Sequence, residues 1–314
     1  CAATVLAGNY VANVSARLIR HTSFVVPSAD QNPRLRFWHW FHIASGDQAS
    51  VQIKVGSGDW QTISDSYTYT GSAAWTCPSI DLKAFAGSTV QLALFFTSNS
   101  DLSAGPGWFV DDLSLVTGPI VFNDPETWES GLGDWYTDKG TWEVGTPTSG
   151  PGKAFAGTKC AGTVMAVNYH ANVASRLISP AFTVPAADQN PRLRFWHWYH
   201  ITPGDEAAVQ IKVGSGDWQT ISEKYTNTGS AAWTRPSIDL KTFADATVQL
   251  ALYFTSNTDL SANPGWFVDD LTIVTGKEIF NTSETWESGL GDWSVDKGTW
   301  EVGTPTSGPG KAYT

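Results

Sequence analysis

The stretch DQNPRLRFWHW at 30–40, followed by VQIKVGSGDWQTIS at 51–64, decides the fold. Arg34, Arg36, Trp38, Trp40 and His42 alternate with Leu35, Phe37, His39 and Phe41, the period of two that marks a strand with unlike faces. Val51, Ile53 and Val55 then share a face opposite Gln52 and Lys54, before Gly56-Ser57-Gly58-Asp59 turns the chain into Trp60-Gln61-Thr62-Ile63. That is the pattern of a β-hairpin. Both stretches return nearly unchanged at 188–198 and 209–222, a displacement of 158 residues from Trp38 to Trp196. GWFVDDL at 107–113 and 265–271, and DKGTWEVGTPTSGPGKA at 138–154 and 296–312, repeat at the same interval, so the chain is an array of one unit.

Outward from these strands, 90–96 is another apolar run, and the only helical candidate is the short stretch 81–86 before Gly87. Many short strands separated by Gly, Pro, Ser and Asn clusters predict an all-β chain of tandem antiparallel jelly-roll β-sandwiches. One uninterrupted unit runs over 119–276 and opens on a head segment, FNDPETWESGLGDW at 122–135. Residues 1–118 read as a repeat lacking its head strands, and 277–314 as head strands that complete the next repeat or the next subunit. Cys1 corresponds to Cys160 and Thr314 to Ala156, so counterparts of only Gly157, Thr158 and Lys159 separate one copy from another laid end to end. Such a gap spans no more than roughly 14 Å.

Charged residues make up 16% of the chain, Trp occurs 16 times, and the net charge is −11, the profile of a Trp-rich secreted protein. No basic stripe is present for nucleic acid and no polybasic anchor for a membrane surface. No run of 18 apolar residues offers a helical membrane span. The expected location is extracellular, at the cell surface. Cys77 is replaced by Arg235 in the second copy, which leaves two readings: a Cys1–Cys77 bridge, or lone thiols, buried as small apolar groups.

TWESGLGDW, GTWEVGTPTSGPGKAFAGTKCAGTV, RLISPAFTVPA, RLRFWHWYH and GWFVDDLTIV follow one another in the complete unit. In that order they resemble the MAM-like and cleaved-adhesin type jelly-roll domains of bacterial surface adhesins and of secreted immune-inhibitor-type metallopeptidases. The resemblance spans the whole period and implies a sandwich that serves adhesive, spacer or binding roles. The peptidase activity of the multidomain relatives does not carry over, because no peptidase region is present.

Two constellations stand out. Simple alternation puts Asp269 in phase with Phe267, Leu271 and Ile273, a carboxylate on the core-facing side that calls for a compensating partner. The resemblance implies a structural calcium held by Glu129 with Asp269 or Asp270. In the first copy Asp111 and Asp112 would take Glu287 from another copy. Backbone amides, or a β-bulge that turns Asp269 outward, would satisfy it equally. The second constellation is the aromatic face of Arg36, Trp38 and Trp40, repeated as Arg194, Trp196 and Trp198: a stacking surface for sugar rings, or packing against a neighbouring domain.

No HExxH, GxSxG or P-loop motif occurs, so no enzyme is expected. The reading favoured is a structural repeat of an extracellular fibre or filament, either assembled head-to-tail with copies of itself by strand complementation or as a window of a longer covalent array. The alternative is an adhesin module that binds glycans or cell-surface proteins.

Overall fold

The computed structural model describes residues 1–68, 74–226, 232–260, 262–308 and 311–312. The register that aligns Thr314 with Ala156 falls outside the described residues. The strands form two antiparallel β-sandwiches, as the alternation predicts. In the first, Ala2–Ala3, Gly107–Val116, Arg34–His42 and Ser79–Asp81 lie side by side in that order. The facing sheet orders Ser15–Ile19, Thr89–Thr97, Gln48–Val55 and Trp60–Thr62, with Phe24–Val25 also paired to Thr89–Thr97. The helical candidate is a single 3-10 turn, Lys83–Phe85.

The second sandwich repeats this plan and extends both sheets. Glu143–Gly145 adds to Cys160–Gly162 at the edge of one, and Tyr136–Thr137 adds to Ala174–Ile178 at the edge of the other. Both added strands come from the head segment, so the head contributes to both layers.

The hairpin forms where expected, with Lys54 opposite Trp60 and Gln52 opposite Thr62. Gly56, at φ +53°, supplies the left-handed turn residue. Leu35, Phe37 and Phe41 enter the first core and Leu193, Phe195 and Tyr199 the second, so this face of the alternation is the inward one. His39 and His197 are fully buried on the same inward face. Trp108 and Trp266 donate their indole N–H to Nδ1 of these rings at 3.2 and 3.3 Å, which requires neutral imidazoles with the proton on Nε2. Of the two readings of the cysteines the structure has the free thiols, Cys1 exposed and Cys77 and Cys160 buried, with no Cys1–Cys77 bridge.

Burial pulls both histidines down to about 3. Their folded values lie below the unfolded one, so the unfolded chain takes up protons first and stability falls as pH drops from about 6.5 towards 3. Thermal midpoints recorded across this range should fall more steeply for the native protein than for a His39→Gln/His197→Gln variant, which keeps an acceptor for each indole but does not titrate.

Candidate functional site: the head segment and the surfaces it joins

The head folds around one carboxylate. Glu126 accepts hydrogen bonds from the Trp128 amide at 2.9 Å, the Trp135 indole at 3.1 Å and the Asn123 side chain at 3.0 Å. Its backbone bridges to Leu271 in both directions, which fastens the turn to the last strand of the second sandwich. Trp128, Trp135 and Trp142 are thereby sunk into the core of that sandwich. Trp142 packs edge-on against Trp266 at 5.8 Å and points its indole N–H at the Ser175 carbonyl, 3.4 Å away. Asp138 closes the arrangement, accepting from the Arg176 backbone at 2.7 Å and from its guanidinium at 3.1 Å.

The same head also grips the sandwich before it. Arg36 donates to the carbonyls of Gly133 and Trp135 at 2.6 and 2.8 Å, and Arg34 pairs with Asp134 at 2.7 Å. The Thr137 amide donates to the Cys77 carbonyl. The head is therefore a wedge shared by two bodies. Residues 277–308 repeat this grip on the second sandwich: Arg194 donates to the carbonyls of Gly291 and Trp293, Arg192 pairs with Glu278 at 3.0 Å, and the Val295 amide donates to the Arg235 carbonyl. Planar guanidinium forks suit a site where two carbonyls must be held at once.

The aspartates behave differently from simple alternation. Between Arg194 and Trp196 the register shifts, and Asp270 takes φ +45°, a β-bulge. Trp266, Val268 and Leu271 consequently face the core, while Phe267 and Asp269 lie on the opposite face with Trp196 and Trp198. Asp269 is thus not core-facing in the sense expected. The loop 150–158 covers it, and Ala154, Cys160, Met165 and Phe267 form a small second core there.

Asp269 accepts from the amides of Phe155, Ala156 and Asp270 at 2.8–3.1 Å. Burial pushes its carboxyl up to about 7 even against these three donors. Glu129 accepts from the amides of Thr158 and Lys159 and from the Thr158 hydroxyl, which hold its carboxyl below the usual range. The two acids clasp the ends of one short segment. Each carboxylate takes three polypeptide donors, and among the described residues no group of three acidic, His or Cys side chains is placed to hold a metal ion. The pair acts as a latch for 155–159. Asp111 and Asp112, on the bulge of the first sandwich, are exposed, with the Cys1 amino group 3.5 Å from Asp111. Glu287 is exposed.

The aromatic face is partly occupied by the chain itself. Phe155 stacks flat on Trp196, with centroids 3.8 Å apart and planes 12° apart, and meets Trp233 edge-on. Trp198 packs on Phe267 at 5.7 Å. In the first sandwich Trp38 and Trp75, counterparts of Trp196 and Trp233, stay exposed at 37% and 38%. The clamp role of Arg36 and Arg194, and the hub role of Glu126, are the residues that sequence reading missed. The T-W-E-S-G-L-G-D-W turn, repeated with its preceding glutamate, was the available signal.

No family model matches the chain. Bacillopeptidase F of Bacillus subtilis (strain 168) is 24% identical over 160 residues, 50% of this chain and 11% of that protein. The chain therefore corresponds to a small part of that relative's length. Solved structures of carbohydrate-binding modules align with the chain at low identity. TmCBM61, solved with β-1,4-galactotriose, aligns at 18% identity over 51% of this chain and 100% of its own, with a TM-score of 0.34. The tandem CBM22-1–CBM22-2 of Paenibacillus barcinonensis Xyn10C aligns at 12% identity over 80% of each chain, TM-score 0.32. SGBP-B, from a xyloglucan utilization locus of Bacteroides uniformis, aligns at 13% identity over 75% of this chain and 70% of its own, TM-score 0.34.

Removing the Asp269 carboxylate orphans the amides of Phe155 and Ala156, a loss of about 1–3 kcal/mol per unsatisfied buried group. Asp269→Ala should speed hydrogen exchange at 155–159 and change Trp196 fluorescence, while the amides of Arg192–His200 stay protected.

Proposed function

We propose that this chain is a non-catalytic structural repeat of an extracellular surface array, in which successive sandwiches are locked by shared head segments. The observation that carries the reading is the recurrence of one junction. Arg34 and Arg36 grip 133–135 as Arg192 and Arg194 grip 291–293, and Thr137 meets Cys77 as Val295 meets Arg235. A tether would leave neighbouring bodies free to rotate. Here the joint holds buried arginines against backbone carbonyls, with Arg194 3% exposed, which suits a stiff, regularly repeating rod. The acidic, Trp-rich composition and the similarity to part of Bacillopeptidase F are compatible with an extracellular setting.

Small-angle scattering tests this. The native chain should fit one fixed arrangement of its two sandwiches. Arg36→Ala should broaden the distance distribution without unfolding either sandwich, because the residue lies on the joint and outside both cores. A native chain that scatters as two freely jointed bodies contradicts the proposal.

A second reading has its own observation. The face of Trp196 accepts a flat ring, supplied by Phe155, and Trp38 is its counterpart in the first sandwich. A pyranose ring stacked on Trp38 would make the first sandwich a glycan-binding adhesin module. In a glycan screen, binding lost in Trp38→Ala and kept in Trp196→Ala would support it; no binding by the native chain would remove it.

A further inference from the structure

We propose that the Trp196 face of the second sandwich is a binding site for an uncharged pyranose ring, and that Phe155 is its built-in competitor. The proposal rests on the glycan-binding reading and gives it a second site and a sugar class. The stacking plane, its occupant and the neighbouring donors all lie inside the unbroken unit 119–276.

The segment 148–159 crosses the outer face of the sheet in two different ways. At Gly150 it is sealed onto the rings: a Cβ there would come within 2.5 Å of Phe267 and 3.0 Å of Trp198, so no side chain separates backbone from aromatic. At Phe155 a side chain does intervene, stacked on Trp196 at 3.8 Å and yet 38% exposed. The backbone of the segment does not depend on that ring. Its anchors are the Met165 carbonyl, which accepts from the amides of Thr148 and Ser149, the Asp269 carboxylate at Phe155 and Ala156, and the Glu129 carboxylate at Thr158 and Lys159. A change of rotamer at Phe155 vacates the indole face and leaves each of these bonds in place.

The vacated site offers more than a stacking plane. Trp233 meets the Phe155 ring edge-on at 6.3 Å, and the Arg235 guanidinium sits over the Trp196 ring, 5.8 Å from its centroid. The indole N–H of Trp233 and the Nε–H of Arg235 are both buried with no acceptor among the described residues. Unpaired buried donors are uncommon in folded proteins and call for an explanation. A phenyl ring satisfies neither of them. A pyranose presents a flat C–H face to the indole and hydroxyl oxygens at its rim, which accept from such donors.

The surrounding charge selects an uncharged sugar. Asp270 and Asp292 already act on the charge of Arg235, so the guanidinium lacks an acceptor at Nε rather than a counter-ion. A carboxylated ring would add a further negative charge beside Asp269, Asp270 and Glu129, where Asp270 already acts unfavourably on Asp269 and Glu129 on Asp270. Because Phe155 is tethered beside the site, the apparent affinity is lowered by the fraction of chains in which its ring is swung out. An aromatic stack of this kind is worth about threefold to tenfold in an equilibrium.

The test uses the full chain with Trp38→Ala as background, so that the first-sandwich face contributes nothing. On an array of neutral and uronic-acid oligosaccharides, adding Phe155→Ala should raise binding to neutral glycans. Fluorescence titration with the strongest of them should give an affinity about threefold to tenfold above that of the chain that keeps Phe155. Adding Trp196→Ala should abolish this binding, and Arg235→Lys, which keeps the charge and removes the Nε–H, should weaken it about fivefold. Phe155 lies at the surface, so the amides of Arg192–His200 should stay protected from exchange when it is removed. A Phe155→Ala chain that binds no neutral glycan, that binds uronic acids equally well, or that takes N-acetylphenylalanine amide in preference to any sugar would overturn the proposal. Native binding that is lost in Trp38→Ala and unmoved by Phe155→Ala would leave the glycan reading standing while this site fails.

Discussion

Burial of the head's tryptophans against the body that follows is the constraint on which the rest of the repeat depends. Each indole hides roughly 150–250 Å² when fully packed. Trp128, Trp135 and Trp142 together form the wall that closes one side of the second core. The head is therefore part of the core of one body even though its turn is clamped by another.

That dual attachment explains the polar groups of the joint. The turn that presents the tryptophans leaves carbonyls of Gly133 and Trp135 directed at the preceding sandwich. Arg36 of that sandwich donates to both. Glu126 satisfies the inner side of the same turn, and Asp138 ties its exit to Arg176. Hydrophobic burial fixes which body the head completes, and the arginine fork fixes how the neighbouring body is oriented. Asp269 and Glu129 perform a lesser task of the same type, pinning the segment that carries Phe155 onto the aromatic face.

Much of this was legible in the residues. Alternation in Arg34–His42 divided the strand into two faces, and the structure turns Leu35, Phe37, His39 and Phe41 inward. The same rule failed at Asp269, where a single bulge residue, Asp270, moves everything before it to the other face. A bulge leaves no reliable mark in one sequence, and an Asp-Asp pair reads equally well as a ligand set. The arginines were noticed for their neighbours Trp38 and Trp40, as a surface for outside ligands. Their true partners, carbonyls of glycine and tryptophan about a hundred residues away, are backbone groups that every residue type carries.

The sequence by itself determined the repeat and the two-sheet antiparallel plan, since period, turn residues and near-identity are properties of local chain chemistry. Only the tertiary structure decided which face of each strand is inward, which body the head grips, and that the acidic residues latch backbone amides. Those outcomes depend on long-range packing, where a carboxylate or guanidinium is satisfied by whichever donor or acceptor the folded surface brings within about 3 Å, and no pattern along the chain encodes that distance.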